Sequence, residues 1–121
     1  MKSIFFFLLS VSISVSALAQ SQYLDSLKLK LENAQTEDTF RVWALSKIAD
    51  YYGFVQADSG LLYATQVLRL SDKLKFPFGR YLGYRSMFFS FNCQGNYPKA
   101  LEATLNIKKI VEDSKDRKSV V

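Results

Sequence analysis

The seven residues Gly95-Asn96-Tyr97-Pro98-Lys99-Ala100-Leu101 constrain this chain more than any other stretch. Glycine ends a helix without strain because it can take the left-handed conformation that lets the last carbonyls be satisfied. Asn96 then offers a side-chain oxygen to the free amides of a following helix, and Pro98 in its first turn removes a hydrogen bond that would not have formed. One helix stops and another starts almost at once, so the two must fold back into a hairpin. No stretch alternates apolar and polar residues as a strand would, and the chain is predicted to be all-α.

The amino terminus reads differently. Met1-Lys2 is a short basic start, residues 4–15 are apolar apart from serines, and Ala17-Leu18-Ala19 places small residues where signal peptidase reads. Residues 1–19 are expected to be a signal peptide cut between Ala19 and Gln20, giving an exported, periplasmic or secreted protein. The apolar run falls short of the ~20 residues a membrane span requires, and no later stretch approaches that length. The only cysteine, Cys93, is far from the cleavage region, which argues against a lipid-anchored form, and it has no partner for an internal disulfide. It is expected to be a small core or groove residue.

Sixteen Lys and Arg face eleven Asp and Glu, a balance of +5 that falls to +4 once Lys2 is removed. The excess is diffuse and gathers near the end, at Lys108-Lys109 and in residues 115–118, where basic groups suit a helix carboxyl end. A nucleic-acid face would need a denser stripe, so no nucleic-acid partner is expected.

Five helices are predicted after the signal. Leu24, Leu27, Leu31 and Ala34 form one stripe over residues 23–34, in a leading segment of residues 20–37. Asp38 or Thr36 caps a second helix over 40–52, with Val42, Leu45, Ile48, Ala49 and Tyr52 inward and Gly53 as its stop. Asp58 is expected to cap a third helix reaching Leu74. Phe76-Pro77-Phe78-Gly79 interrupts the pattern, and a fourth helix starts near Arg80. Asn96 caps a fifth that ends near Asp113, and residues 115–121 read as a frayed tail or truncation point.

A shift of forty residues aligns Gly60 with Ala100, Leu61 with Leu101, Val67 with Ile107 and Leu70 with Ile110. Residues 38–75 and 79–114 thus share one design. The small residue at 60 or 100 lets the two helices of each hairpin approach closely.

These residues resemble the tetratricopeptide repeat family. Leu45, Ile48, Ala49 and Tyr52 fit its first-helix positions in the earlier unit, with Gly60 as the packing residue of the second helix. In the later unit Tyr84, Met87, Phe88 and Phe91 stand at the first-helix positions, and Gly95, Tyr97 and Ala100 match its Gly-x-Tyr-x-x-Ala element. Phe88 occupies a position where the family has a small residue, the earlier unit lacks the Gly-x-Tyr element, and the spacing of forty exceeds the usual ~34. The signal, Leu24-Asp25-Ser26-Leu27-Lys28 and Asp38-Thr39-Phe40-Arg41-Val42 together are similar to the start of exported repeat proteins of Bacteroidetes-type bacteria, many of which resemble histidine-kinase sensors.

The resemblance implies a concave groove for a protein or peptide partner, lined by Trp43, Ser46 and Asp50 in the earlier unit and Arg85, Phe89 and Asn92 in the later one. It also implies a non-catalytic sensing input whose kinase or other output lies outside this chain. A stand-alone scaffold and a recruiting appendage of an envelope enzyme are the alternatives. With no histidine and one cysteine, the usual nucleophile, base and zinc sets cannot be assembled, so no enzyme activity, metal or cofactor is expected. Two units fall below the roughly three that repeat arrays usually need, so self-association through uncapped faces is expected.

Overall fold

The computed structural model describes residues 2–34 and 36–119, with backbone alone for Ile13, Val15, Ala17, Lys118 and Ser119. Five helices account for nearly all of it: α1 (Lys2–Asn33), α2 (Thr39–Val55), α3 (Ala57–Lys73), α4 (Pro77–Cys93) and α5 (Tyr97–Ser119). There is no strand among the described residues. Two compact units divide the chain at residue 35.

The first unit is α1. Residues 2–19 and the predicted helix over 23–34 belong to one continuous helix, because neither glycine nor proline interrupts residues 1–34. Its two halves differ in burial. From Ile4 to Leu9 every large apolar side chain is exposed, whereas Leu24, Leu27 and Leu31 are buried on the predicted stripe. Serines in its first half donate their hydroxyls to the helix itself, Ser10 to the Phe7 carbonyl at 2.7 Å and Ser14 to that of Ser10 at 2.8 Å. A hydroxyl bonded this way adds little polarity to an apolar helix.

The second unit holds α2 to α5. Each helix packs on the next, and α2 also packs on α4, so two hairpins lie side by side with their first helices together. Asp38 caps α2 as expected, its Oδ1 accepting from the Arg41 amide at 3.0 Å. The Asn96 side chain accepts from the Lys99 amide at 3.3 Å at the start of α5. Gly95 has φ +73°, and the amides of Gly95 and Asn96 reach the carbonyls of Asn92 and Phe91. That bond pair closes the end of α4. The same pair closes α3, with Lys75 at φ 51° and the amides of Lys75 and Phe76 bonded to Asp72 and Ser71.

Several expected boundaries move. Gly53 does not end α2 but lies buried within it, and α3 begins at Ala57 after the single residue Gln56. Asp58 is therefore in the first turn of α3 rather than its cap, and it accepts a hydrogen bond from Gln94 Nε2 at 2.6 Å. Pro77 opens α4 instead of separating helices, since a proline in the first turn sacrifices no hydrogen bond. The fourth helix thus begins at Pro77 rather than near Arg80. α5 runs on through residues 115–119, where a tail was expected; Val120 and Val121 lie outside the described residues.

Val42, Ile48 and Val67 are the largest apolar side chains with essentially no exposure. Each such burial contributes about 1.5–3 kcal/mol. Leu45 and Ala49 are buried beside them, and Tyr52 is half-buried, stacked on Tyr63 with centroids 5.5 Å apart. Gly60 is buried where α2 and α3 come closest: a Cβ there would stand 2.7 Å from the Gly53 nitrogen. The later unit departs from expectation. The buried face of α4 is Gly79, Leu82, Gly83, Ser86 and Ser90, while Tyr84, Met87, Phe88 and Phe91 are half-buried. Small residues let α4 lie close to α2 and α3, which turns its bulky side towards α5. Tyr84, Met87 and Phe91 accordingly line a groove with Lys99, Glu102, Ala103 and Asn106. Ala100 is buried as expected; Tyr97 is 68% exposed and is not a packing residue.

Candidate functional site

The α2–α4 contact brings together side chains from both units. On α2, Trp43, Lys47, Asp50 and Phe54 follow at spacings of four, three and four, which places them on one helical stripe. On α4, Tyr81, Arg85 and Phe89 do the same. The two stripes meet at the middle and at one end.

Asp50 is at the centre. Arg85 Nη2 donates to Asp50 Oδ2 at 2.8 Å and Ser86 Oγ to Asp50 Oδ1 at 2.6 Å. Both carboxylate oxygens are thus occupied. The Arg85 guanidinium also lies 6.0 Å from the Tyr81 ring centroid, within the range of a cation–π contact. The ion pair is half-buried, so its charges are screened less than those of a surface pair. Next to it, Phe89 lies 5.5 Å from Phe54 and 5.6 Å from Phe88 by ring centroids, and Phe54 is largely exposed. Trp43, 37% exposed, packs on Phe40 at 5.9 Å and has Lys47 Nζ 6.0 Å from its ring.

The six residues expected to line a groove therefore separate. Asp50, Arg85 and Phe89 come together between α2 and α4, and Trp43 lies further along the same stripe. Ser46 does not line a surface: it is fully buried, and its hydroxyl donates to the Trp43 carbonyl at 2.6 Å. Asn92 is half-buried one turn beyond Phe89. Cys93, expected in the core or groove, is exposed as the last residue of α4.

The ion pair changes the chemistry of this surface. Arg85 pairs with a carboxylate of its own chain through Nη2 alone, and its buried Nε has no hydrogen-bond partner. The exposed side chains of the α2 stripe, Trp43 and Phe54, are aromatic. Phe54, Lys47, Tyr81 and Ser86 were absent from the expected set, although Lys47, Phe54 and Tyr81 continue the two stripes by one turn. That periodicity was the available signal.

Among the described residues, no group of three or more His, Cys, Asp or Glu side chains stands together, and no helix is long and apolar enough to cross a membrane. No family model, no curated protein and no solved structure matches the chain.

Proposed function

We propose that this chain is an exported, non-catalytic repeat domain of tetratricopeptide-like design that grips an apolar or aromatic segment of a protein partner, as the periplasmic sensing input of a signalling protein. The observation that carries the binding reading is the α2–α4 surface, where exposed Phe54 and half-buried Phe89 lie beside the Asp50–Arg85 ion pair, both of whose carboxylate oxygens are occupied. Aromatic anchors next to neutralised polar groups suit recognition of apolar side chains, since little desolvation opposes their burial. Pairwise packing of α2 to α5, with α2 on α4, supports the stacked-hairpin design. Leu101 and Leu105, exposed one turn apart on α5, support self-association.

The export reading is supported by the two halves of α1. Residues 4–9 present Ile4, three phenylalanines and two leucines without burial, and the buried stripe begins only beyond Ala19. Mass spectrometry of the chain from the periplasm is expected to find Gln20 at the amino terminus; an intact Met1 would refute cleavage. For binding, peptides selected by display on the purified chain are expected to contain apolar or aromatic anchors and to lose about tenfold in affinity or more with Phe54→Ala or Phe89→Ala. Leu105→Ala, on a different helix, is expected to leave affinity unchanged. Equal affinity in all three variants would refute the α2–α4 assignment.

A further inference from the structure

The α2–α4 surface does not stop at Arg85. One turn nearer the start of α4, Tyr81 helps to wall a hollow of about 360 Å³, together with Pro77 and Phe78 on α4 and Ile110, Val111 and Ser114 on α5. Phe78 and Val111 are exposed, so the hollow opens to solvent. A cavity of about 150 Å³ is enough to accept benzene, and this one therefore admits an aromatic side chain.

Tyr81 belongs to both surfaces. Its ring stacks on Phe78 with centroids 5.8 Å apart, and the Arg85 guanidinium lies 6.0 Å from its centroid. Arg85 is tied in turn to Asp50 of α2. The Phe54–Phe89 pair, the ion pair and the hollow thus follow one another along one face of α4.

Distance along α4 decides what can span that face. Phe89 is eight residues from Tyr81 and eleven from Phe78, about 12 and 16 Å at ~1.5 Å per residue. An extended chain advances about 3.3 Å per residue and points alternate side chains the same way. Two of its side chains four apart, about 13 Å, therefore reach both ends from one side; five apart, the second would turn away. Arg85, midway between the ends, favours an extended occupant over a helical one. Nη2 is its only nitrogen with a hydrogen bond among the described residues, and the side chain is 30% exposed, so guanidinium donors remain for a ligand. An extended segment brings free backbone carbonyls to them, whereas a helix has bonded its own internally.

We propose that the partner segment is extended and carries two apolar or aromatic anchors at positions i and i+4. One packs on Phe54 and Phe89; the other enters the hollow formed by Phe78, Tyr81, Ile110 and Val111. This second anchor site rests on the binding reading of the α2–α4 surface and specifies the partner that the surface takes.

The probes are fluorescein-labelled Gly-Ser peptides in which two phenylalanines stand at spacings from i+2 to i+8, with a single-phenylalanine peptide as reference. Fluorescence polarisation with the full chain reads their dissociation constants. The i+4 peptide is expected to bind about tenfold tighter than the reference, as a second buried aromatic anchor contributes, and tighter than the i+3 and i+5 peptides. Phe78→Ala or Val111→Asn should abolish that gain; both side chains are exposed, so neither variant threatens folding. Leu62→Ser, exposed on α3, should retain it. A gain that is indifferent to spacing, or that survives both hollow variants, would overturn the second anchor. Phe54→Ala separates the two readings. If it weakens the reference peptide while the spacing-dependent gain is missing, the α2–α4 reading stands and the second anchor falls. If neither Phe54→Ala nor Phe89→Ala weakens any peptide, or no peptide binds, both fall.

Discussion

Replacing Gly60 with alanine tests whether the α2–α3 approach requires the missing side chain. A Cβ at residue 60 would stand 2.6 Å from Ser90 Oγ, 2.7 Å from the Gly53 nitrogen and 2.8 Å from the Gly53 Cα. The serine can rotate away; the backbone of α2 cannot. Two effects oppose each other. Alanine in a helix gains about 0.5–1 kcal/mol over glycine. Forcing a methyl group into packed backbone costs about 1–3 kcal/mol, and here the contact is close enough for the upper half of that range. A net loss of about 1–2 kcal/mol follows, equivalent to roughly 1 M in urea midpoint for a small domain. Gly53→Ala is the control, since its Cβ would meet Ser90 Oγ at 3.0 Å and no other atom closer than 3.7 Å. It should be neutral or stabilising. Ser90→Ala should not rescue Gly60→Ala, because the clash with Gly53 remains. Equilibrium urea unfolding followed by circular dichroism measures all four chains. A Gly60→Ala midpoint at or above that of the parent chain would refute the close-approach argument.

Other substitutions probe the remaining features. Asp50→Ala removes the acceptor of both Arg85 and Ser86 and should cost about 1–3 kcal/mol, the range for a buried donor left unsatisfied, lowered by partial exposure; a double-mutant cycle with Arg85→Ala that shows no coupling would sink the pair as a stabilising contact. Gly95→Ala should cost about 1–2 kcal/mol from φ strain alone, since no atom lies within 4 Å of the added Cβ; an unchanged urea midpoint would contradict it. For Glu37, ion-paired with Lys73, the folded pKa is depressed, so its contribution to stability is present above the unfolded value and is lost as pH falls through the folded one. The stability difference between the parent chain and Glu37→Gln should therefore vanish in acid, and a difference that persists at pH 2 would contradict that pairing.

The helical class, the hairpin turn at Gly95 and the inward stripe of α2 were legible because each is local. A positive φ needs a residue that tolerates it, a cap needs a side-chain oxygen, and Val42, Leu45, Ile48 and Ala49 announce one face by spacing alone. The same local rules misplaced Gly53 and Gly79. Both looked like helix breakers, yet both sit inside helices, and at Gly79 the missing side chain leaves room for Ser71 and Val42. A glycine used for contact and one used for a turn look alike until the neighbour is known.

The face of α4 was decided only in three dimensions. Its sequence offers an aromatic stripe and a stripe of glycine and serine, and hydrophobicity alone favours burying the aromatics. Close approach to α2 and α3 selects the small side instead, because Gly79, Gly83 and Ser90 fit where Val42, Leu68 and the two glycines of the first hairpin leave no room. The same choice joins Asp50 to Arg85 across a separation of thirty-five residues and leaves Phe89 beside Phe54. By itself the sequence determined the helical class, the turn at Gly95 and the inward stripe of α2. Which stripe of each helix meets another, and so which side chains remain for a partner, depended on steric fit between segments distant in the chain, which no local pattern encodes.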